Sequence, residues 1–155
     1  MRASSIVYVT AEIGLSADLA TYSGGLGILA GDHAKAAADH GIPLVVVSLY
    51  YHGGYGVQSI DASGRQQVHF PQSDPARLLE DTGVHFELTL EGESVRVKVW
   101  CRKVVGHAGA VVPVYFLDAR DPTNSERWQA VSANLYGGDN DNRLRQEALL
   151  GIGGY

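Results

Sequence analysis

The run Leu44–Tyr50, LVVVSLY, narrows most strongly what this chain can fold into. Ser48 alone breaks its apolar stretch before the closing tyrosine. A near-continuous apolar strand of this kind is found buried inside a parallel sheet. The segment before it, Ile28–His40, reads ILAGDHAKAAADH. Its alanines and helically spaced apolar positions predict a helix, and Gly41 and Pro43 supply the stop signals. Earlier still, Ile6–Thr10 reads IVYVT and predicts a short buried strand. Strand, helix, strand makes a βαβ unit, whose crossover is expected to be right-handed.

The middle of the chain follows a different pattern. Val84–Leu90 and Glu93–Cys101 alternate apolar and polar residues around Glu91-Gly92, which predicts a hairpin with one wet face at the sheet edge. Val111–Leu117 reads as a further strand, closed by Asp118. Asn124 or Ser125 is placed to cap a helix running toward Leu135. Asp141 or Asn142 is placed to cap another, which begins RLRQEALL. The final glycine cluster after that apolar helix reads as a truncation rather than a natural domain end.

The 155 residues suit one domain, and a hydrophobic share of 45% is enough for a core. The net charge of -5 with only 12 basic residues argues against nucleic-acid binding. No apolar run reaches the length of a bilayer span, and the start does not read as a signal peptide. Cys101 is the only cysteine, which fits a reducing cytoplasm and rules out an internal disulfide. The six histidines show no zinc-helix spacing, so no metal site is expected. No G-x-S-x-G elbow is present for a serine hydrolase. Trp100 and Trp128 read as core, and Asp32 and His33 as dipole and packing residues of the first helix.

The nineteen glycines are unevenly spread, and four of them fall between Gly24 and Gly31. Gly25-Leu26-Gly27-Ile28-Leu29-Ala30 formally satisfies the dinucleotide fingerprint G-x-G-x-x-A. However, more than ten residues separate Thr10 from Gly24, and no carboxylate ends the second strand to hold a ribose. No lysine followed by Ser or Thr completes a Walker motif either. What survives is the physics of the loop. Bare backbone N–H groups and the positive end of a helix starting near Leu26 converge on one spot, where a phosphate is the natural occupant. The rival reading is a loop that needs glycine only for tight strand–helix packing.

Three stretches taken together carry a resemblance. They are Thr10-Ala11-Glu12, then TYSGGLGILAGDHAKAAADHGIPLVVVSLYY, then LYGGDNDNRLRQEALLGIGG. The combination resembles the N-terminal region of the α-glucan phosphorylases, the glycogen, starch and maltodextrin phosphorylase family, most closely its bacterial branch. Glucan synthases share the GGLG loop but not the last stretch, and a nucleotide-sugar-dependent synthase is the alternative. A non-catalytic carbohydrate- or phosphate-binding module is another.

The resemblance implies an α/β, Rossmann-like parallel or mixed sheet with helices, forming part of the N-terminal half of a GT-B fold. It implies that residues 1–155 are a partial domain, with the cofactor-binding C-terminal domain absent. It implies phosphorolysis of terminal α-1,4-glucosidic bonds to glucose 1-phosphate, with α-glucan and inorganic phosphate as substrates. Pyridoxal phosphate would be the cofactor, held by a lysine that no lysine of this chain matches. The full-length parent would be a cytoplasmic homo-oligomer, and the fragment alone inactive. Carried over by position, Gly24 and Gly25 face the phosphates and the glucose unit, and Leu26 lies beside that sugar. Gly25 also borders the cofactor. Asp139 and Asn140 match a mobile loop gating the active site, with Arg143 and Glu12 as polar residues near it. Gly25, Asp139 and Arg143 are the catalytic candidates. Ile13-Gly14 departs from the aromatic pair of animal members, which puts a ring contact at Gly14 in question. Without the family match, Asp139 and Asp141 read as turn and cap residues.

Overall fold

The computed structural model describes residues 5–70 and 72–155. In chain order the elements are β1 Ile6–Val9, α1 Gly25–Asp39, β2 Leu44–Leu49, β3 Val57–Ile60, β4 Gln66–His69 and α2 Pro75–Leu78. These are followed by β5 Glu80–Leu90, β6 Glu93–Val105, β7 Val111–Asp118, α3 Glu126–Gln129, a 3-10 turn at Ala130–Ser132, and α4 Asn140–Gly153. The main sheet is mixed, in the order β1-β2-β7-β6-β5. β1, β2 and β7 run parallel, while β6 and β5 are antiparallel additions. Together with its helices it makes an α/β fold.

The parity of β2 explains the layering. Leu44, Val46 and Tyr50 pack with Ala30, Ala34, Ala37 and Ala38 of α1. Val47, Leu49 and Tyr51 pack with Trp128, Val131, Leu149 and Leu150. One face is thus covered by α1 and the other by α3 and α4, which is why LVVVSLY carries no polar face. Both tryptophans are core, as the sequence predicts. The hairpin also forms as expected, and more fully. Glu91 and Gly92 take φ 49 and 78, the two left-handed residues of a tight hairpin turn. β5 is the sheet edge.

Helix α1 begins at Gly25, one residue from the expected start near Leu26, and the glycines themselves form its first turn. Two expectations are corrected. IVYVT is not a buried strand: β1 is the other sheet edge, with Ile6, Val7 and Val9 exposed. The helix expected to run toward Leu135 stops after Gln129. Beyond it the backbone is bound elsewhere: the Ser132 carbonyl accepts from His52 N–H at 2.9 Å, and the Ala133 carbonyl accepts from Gly53 N–H. Those bonds fasten the excursion 53–73 that carries the small β3–β4 hairpin. At its root His52 Nε2 lies 3.0 Å from Asp118 Oδ2, which also accepts from the Trp100 indole. Burial pushes the Asp118 carboxyl upward. The His52 partner and the Arg120 N–H outweigh it and leave the group below the usual carboxylate range. Among the described residues no helix is long and apolar enough to cross a membrane.

Candidate active site

The glycine segment connects the carboxyl end of β1 to α1. Its N-cap, Gly24, is extended at φ -159 and offers no side-chain cap. Among the described residues no hydrogen bond occupies the N–H of Gly25, Leu26 or Gly27. The helix therefore opens with free donors and a positive dipole end.

The glycines differ sharply in what surrounds them. A Cβ on Gly24 or Gly25 would meet nothing within 4 Å. A Cβ on Gly27 would stand 2.4 Å from the Tyr22 side chain, and one on Gly31 would stand 1.9 Å from the Gly14 carbonyl oxygen. The packing reading thus applies to Gly27 and Gly31. It does not account for Gly24 and Gly25, which face open space. Gly14 belongs to the packed side: its N–H donates to the Gly27 carbonyl at 2.8 Å, and α1 crosses directly over it.

Glu12 explains how the loop is held. It is buried to 2% exposure, and its Oε2 accepts from Ser23 N–H at 2.7 Å and from Ser23 Oγ at 3.2 Å. The carboxylate is a strut beneath the loop, close to the helix end whose dipole favours a negative charge. Behind it the Tyr51 hydroxyl donates to the Ala11 carbonyl at 2.9 Å and fixes the end of β1. Burial, with Tyr136 and Glu12 nearby, pushes the Tyr51 hydroxyl well above its ordinary range.

Leu26 and Arg143 come together in one cavity of about 230 Å³, whose wall also includes Tyr136, Tyr51 and Gln146. It lies outside the carboxyl ends of β1 and β2, where open α/β sheets bind ligands. The Arg143 guanidinium carbon lies 5.8 Å from the Tyr136 ring centroid, within reach of a cation–π contact. Burial and Glu12 raise the Tyr136 hydroxyl above its usual value, so this ring stays neutral beside the arginine.

Asp139 and Asn140 lie outside that cavity. Asp139, not Asp141 or Asn142, caps α4, accepting from Asn142 N–H at 2.9 Å. It lines a separate cavity of about 340 Å³ with Arg127, Arg145 and Asn134. Asn140 is exposed in the first turn of α4.

Sequence reasoning passed over Tyr136 and Tyr51. Tyr136 carried a usable signal, since a tyrosine directly before Gly137-Gly138 sits where the backbone turns sharply; it takes φ 55 here. Tyr51 carried none, because its hydroxyl role depends on where the end of β1 lies.

Fold and site define an α/β protein with an uncapped, open helix end at the carboxyl edge of its parallel strands. No protein-family model matches the chain. It is 43% identical to the glycogen phosphorylase of Mycobacterium tuberculosis over 97% of its own length, covering 18% of that relative. It is 39% identical to the maltodextrin phosphorylase of Thermococcus litoralis over 96% of its length, again covering 18%. The glycogen phosphorylase of Aquifex aeolicus is 34% identical over 96% of the chain and is covered to 22%. The chain is therefore homologous along nearly all of its length to a segment of the glycogen and maltodextrin phosphorylases. It spans about a fifth of the length of these relatives.

Proposed function

We propose that this chain is the glycine-loop part of an α-glucan phosphorylase, in the N-terminal half of a GT-B protein, and that it contributes one wall of the phosphorolysis site. The observation that carries the reading is the open backbone of Gly24 and Gly25 at an uncapped helix end, with Arg143 and Leu26 in the adjoining cavity. The phosphorylase names of its relatives support this choice of chemistry.

Phosphorolysis breaks the bond between the anomeric carbon and the glycosidic oxygen. A phosphate oxygen attacks that carbon, and the departing oxygen takes a proton from the phosphate. Hydrolases of such bonds usually place two carboxylates about the bond. Here the acid is the substrate phosphate itself, and the protein's task is to hold it. The N–H groups of Gly25 and Leu26 would donate to its oxygens, and the α1 dipole and Arg143 would offset its charge. Preorganised donors of this kind are worth about 10²–10³ in rate each. Leu26 would present an apolar edge to the sugar ring, and the Glu12–Ser23 strut would keep the donors aimed. Asp139 and Asn140, at the exposed start of α4, would form the movable border of the cleft.

The open backbone at Gly25, where a Cβ would meet nothing within 4 Å, is compatible with the phosphate of pyridoxal phosphate. When bound, the cofactor would supply that phosphate as an acid–base group. No lysine of this chain would hold the cofactor: Lys35 lies 3.9 Å from Asp32, Lys98 lies 2.7 Å from Asp81 and Lys103 lies 2.7 Å from Glu80, all away from the glycine loop's open side. The lysine would come from elsewhere in a longer, cytoplasmic, oligomeric protein. The test is an assay of the full-length protein with maltodextrin. Glucose 1-phosphate released only when inorganic phosphate is present is the expected result. Glucan extension from ADP-glucose, with no response to phosphate, would overturn the reading.

A further inference from the structure

Arg143 lies in the first turn of α4, where helices fray, so its aim depends on what holds that turn. Two bonds act at the terminus itself. Asp139 accepts from Asn142 N–H, and the Asn142 side-chain amide donates to the Gly137 carbonyl, both at 2.9 Å. They tie the helix to the residues just before it, and so leave helix and loop free to shift as one piece.

Gln146 reaches further. It stands three residues after Arg143 on the same face of α4, and is only 6% exposed. Its Nε2 donates to the Val131 carbonyl at 3.0 Å and to the Asn134 carbonyl at 3.3 Å. Both hydrogens of the amide are thus used, which fixes its orientation. The segment it grips is anchored to the sheet. The Ser132 and Ala133 carbonyls accept from His52 and Gly53, just past β2, and Ser132 Oγ accepts from Ala119 N–H at 2.9 Å, just past β7. Among the described residues, one other side-chain bond of α4 reaches beyond the preceding loop, that of Arg145 to Glu91, and Arg145 lines the separate cavity of Asp139.

We propose that Gln146 is a positioning residue, which sets α4 against the ends of β2 and β7 so that the Arg143 guanidinium meets phosphate; the proposal rests on the phosphorolysis reading above. Arg143, Gln146 and Tyr136 line one cavity. Tyr136 follows Asn134 by two residues, so one amide holds both sides of the Arg143–Tyr136 contact. Donating to carbonyls is by itself reason enough for a polar residue here. Positioning adds a consequence that carbonyl pairing does not have. Without the amide Arg143 keeps its charge and loses its aim, and a misplacement of about 1 Å can cost about 10² in rate. Leu26 and the glycine loop are carried by α1 and the end of β1, so the sugar side is left as it was.

The test uses the full-length protein with Gln146→Leu, which keeps bulk and cannot donate. Gln146→Ser, small enough to let water reach the carbonyls, is the second variant should the first fail to fold. Gln129→Leu is the control: Gln129 also donates to a carbonyl, that of Asn124 at 2.8 Å, but does not line the Arg143 cavity. All three variants are expected to melt below wild type. Only the Gln146 variants are expected to raise the phosphate KM, about tenfold, with the maltodextrin KM within about twofold of wild type. The rise is expected to vanish when Arg143 is replaced by Ala, or by Lys if the Ala variant gives no turnover, because the planar fork that Gln146 aims is then gone. An unchanged phosphate KM in a folded Gln146 variant would overturn the proposal. An equal rise in both KM values would do so too, as would a rise of the same size with Arg143 replaced. An Arg143→Ala protein with the wild-type phosphate KM would instead defeat the phosphate role of Arg143 in the phosphorolysis reading, and this proposal with it.

Discussion

Gly24 and Gly25 look onto open space, whereas Gly27 and Gly31, on the same loop and helix, are walled in by Tyr22 and by the Gly14 carbonyl. All four carry the same letter in one short motif, but they answer different demands. At Gly27 and Gly31 a side chain has no room, because α1 lies directly on the chain leaving β1. At Gly24 and Gly25 the protein itself would tolerate a side chain. The backbone there is not even in the left-handed region, since Gly24 is extended. A need for glycine at the open pair therefore has to come from something outside the fold that approaches the backbone closely.

This contrast can be broken at several points, all in the full-length protein. The largest stability effect is expected at the walled pair. Gly31→Val would press a branched side chain into the Gly14 peptide, which cannot yield as a flexible side chain would. A loss of about 3 kcal/mol is expected, at the upper end of what overpacking usually costs. A thermal melt close to wild type would show that the packing account is wrong. Glu12→Ala comes next. It removes the acceptor of two Ser23 bonds, leaves a space beneath the loop, and is expected to cost about 2 kcal/mol. The melting curve checks the stability, and the phosphate KM, expected to rise, checks whether the loop has lost its aim. An unchanged phosphate KM in the folded variant would deny Glu12 its strut role. Gly24→Ala is expected to do least to the fold, within about 0.5 kcal/mol of wild type. Any greater loss by denaturant titration would mean that the open side is occupied by protein after all.

The division between open and walled glycines shows what the residues alone disclose. LVVVSLY and the alanine-rich run after Gly27 announced a central strand and its covering helix, because burial on both faces and a helical apolar period are local patterns. Glu91-Gly92 announced its turn for the same reason. IVYVT misled because its composition suits a buried strand, while its place at the edge is settled by what pairs with it. The helix toward Leu135 stopped early because the carbonyls of Ser132 and Ala133 accept bonds from residues some 80 positions earlier. The β3–β4 hairpin is exposed on both faces, so it has no alternation to read. In the site, the loop itself was legible. Which of its glycines face outward was not, because that depends on Tyr22 and the Gly14 carbonyl folding back against α1. Tyr136 and Tyr51 joined the site only once β1, β2 and the start of α4 were brought to one edge.

The central claim is that the open pair faces a phosphate, and Gly25→Val tests it most directly. The variant would be made in the full-length protein, and its melting temperature and phosphorolysis rate measured on the same preparation. Because a Cβ at Gly25 would meet nothing within 4 Å beyond its own helix turn, the melt is expected to stay close to wild type. Because a branched side chain would cover donors meant for phosphate, turnover is expected to fall by about 10²–10³ or more. A variant that melts like wild type and still releases glucose 1-phosphate at the wild-type rate would contradict the account.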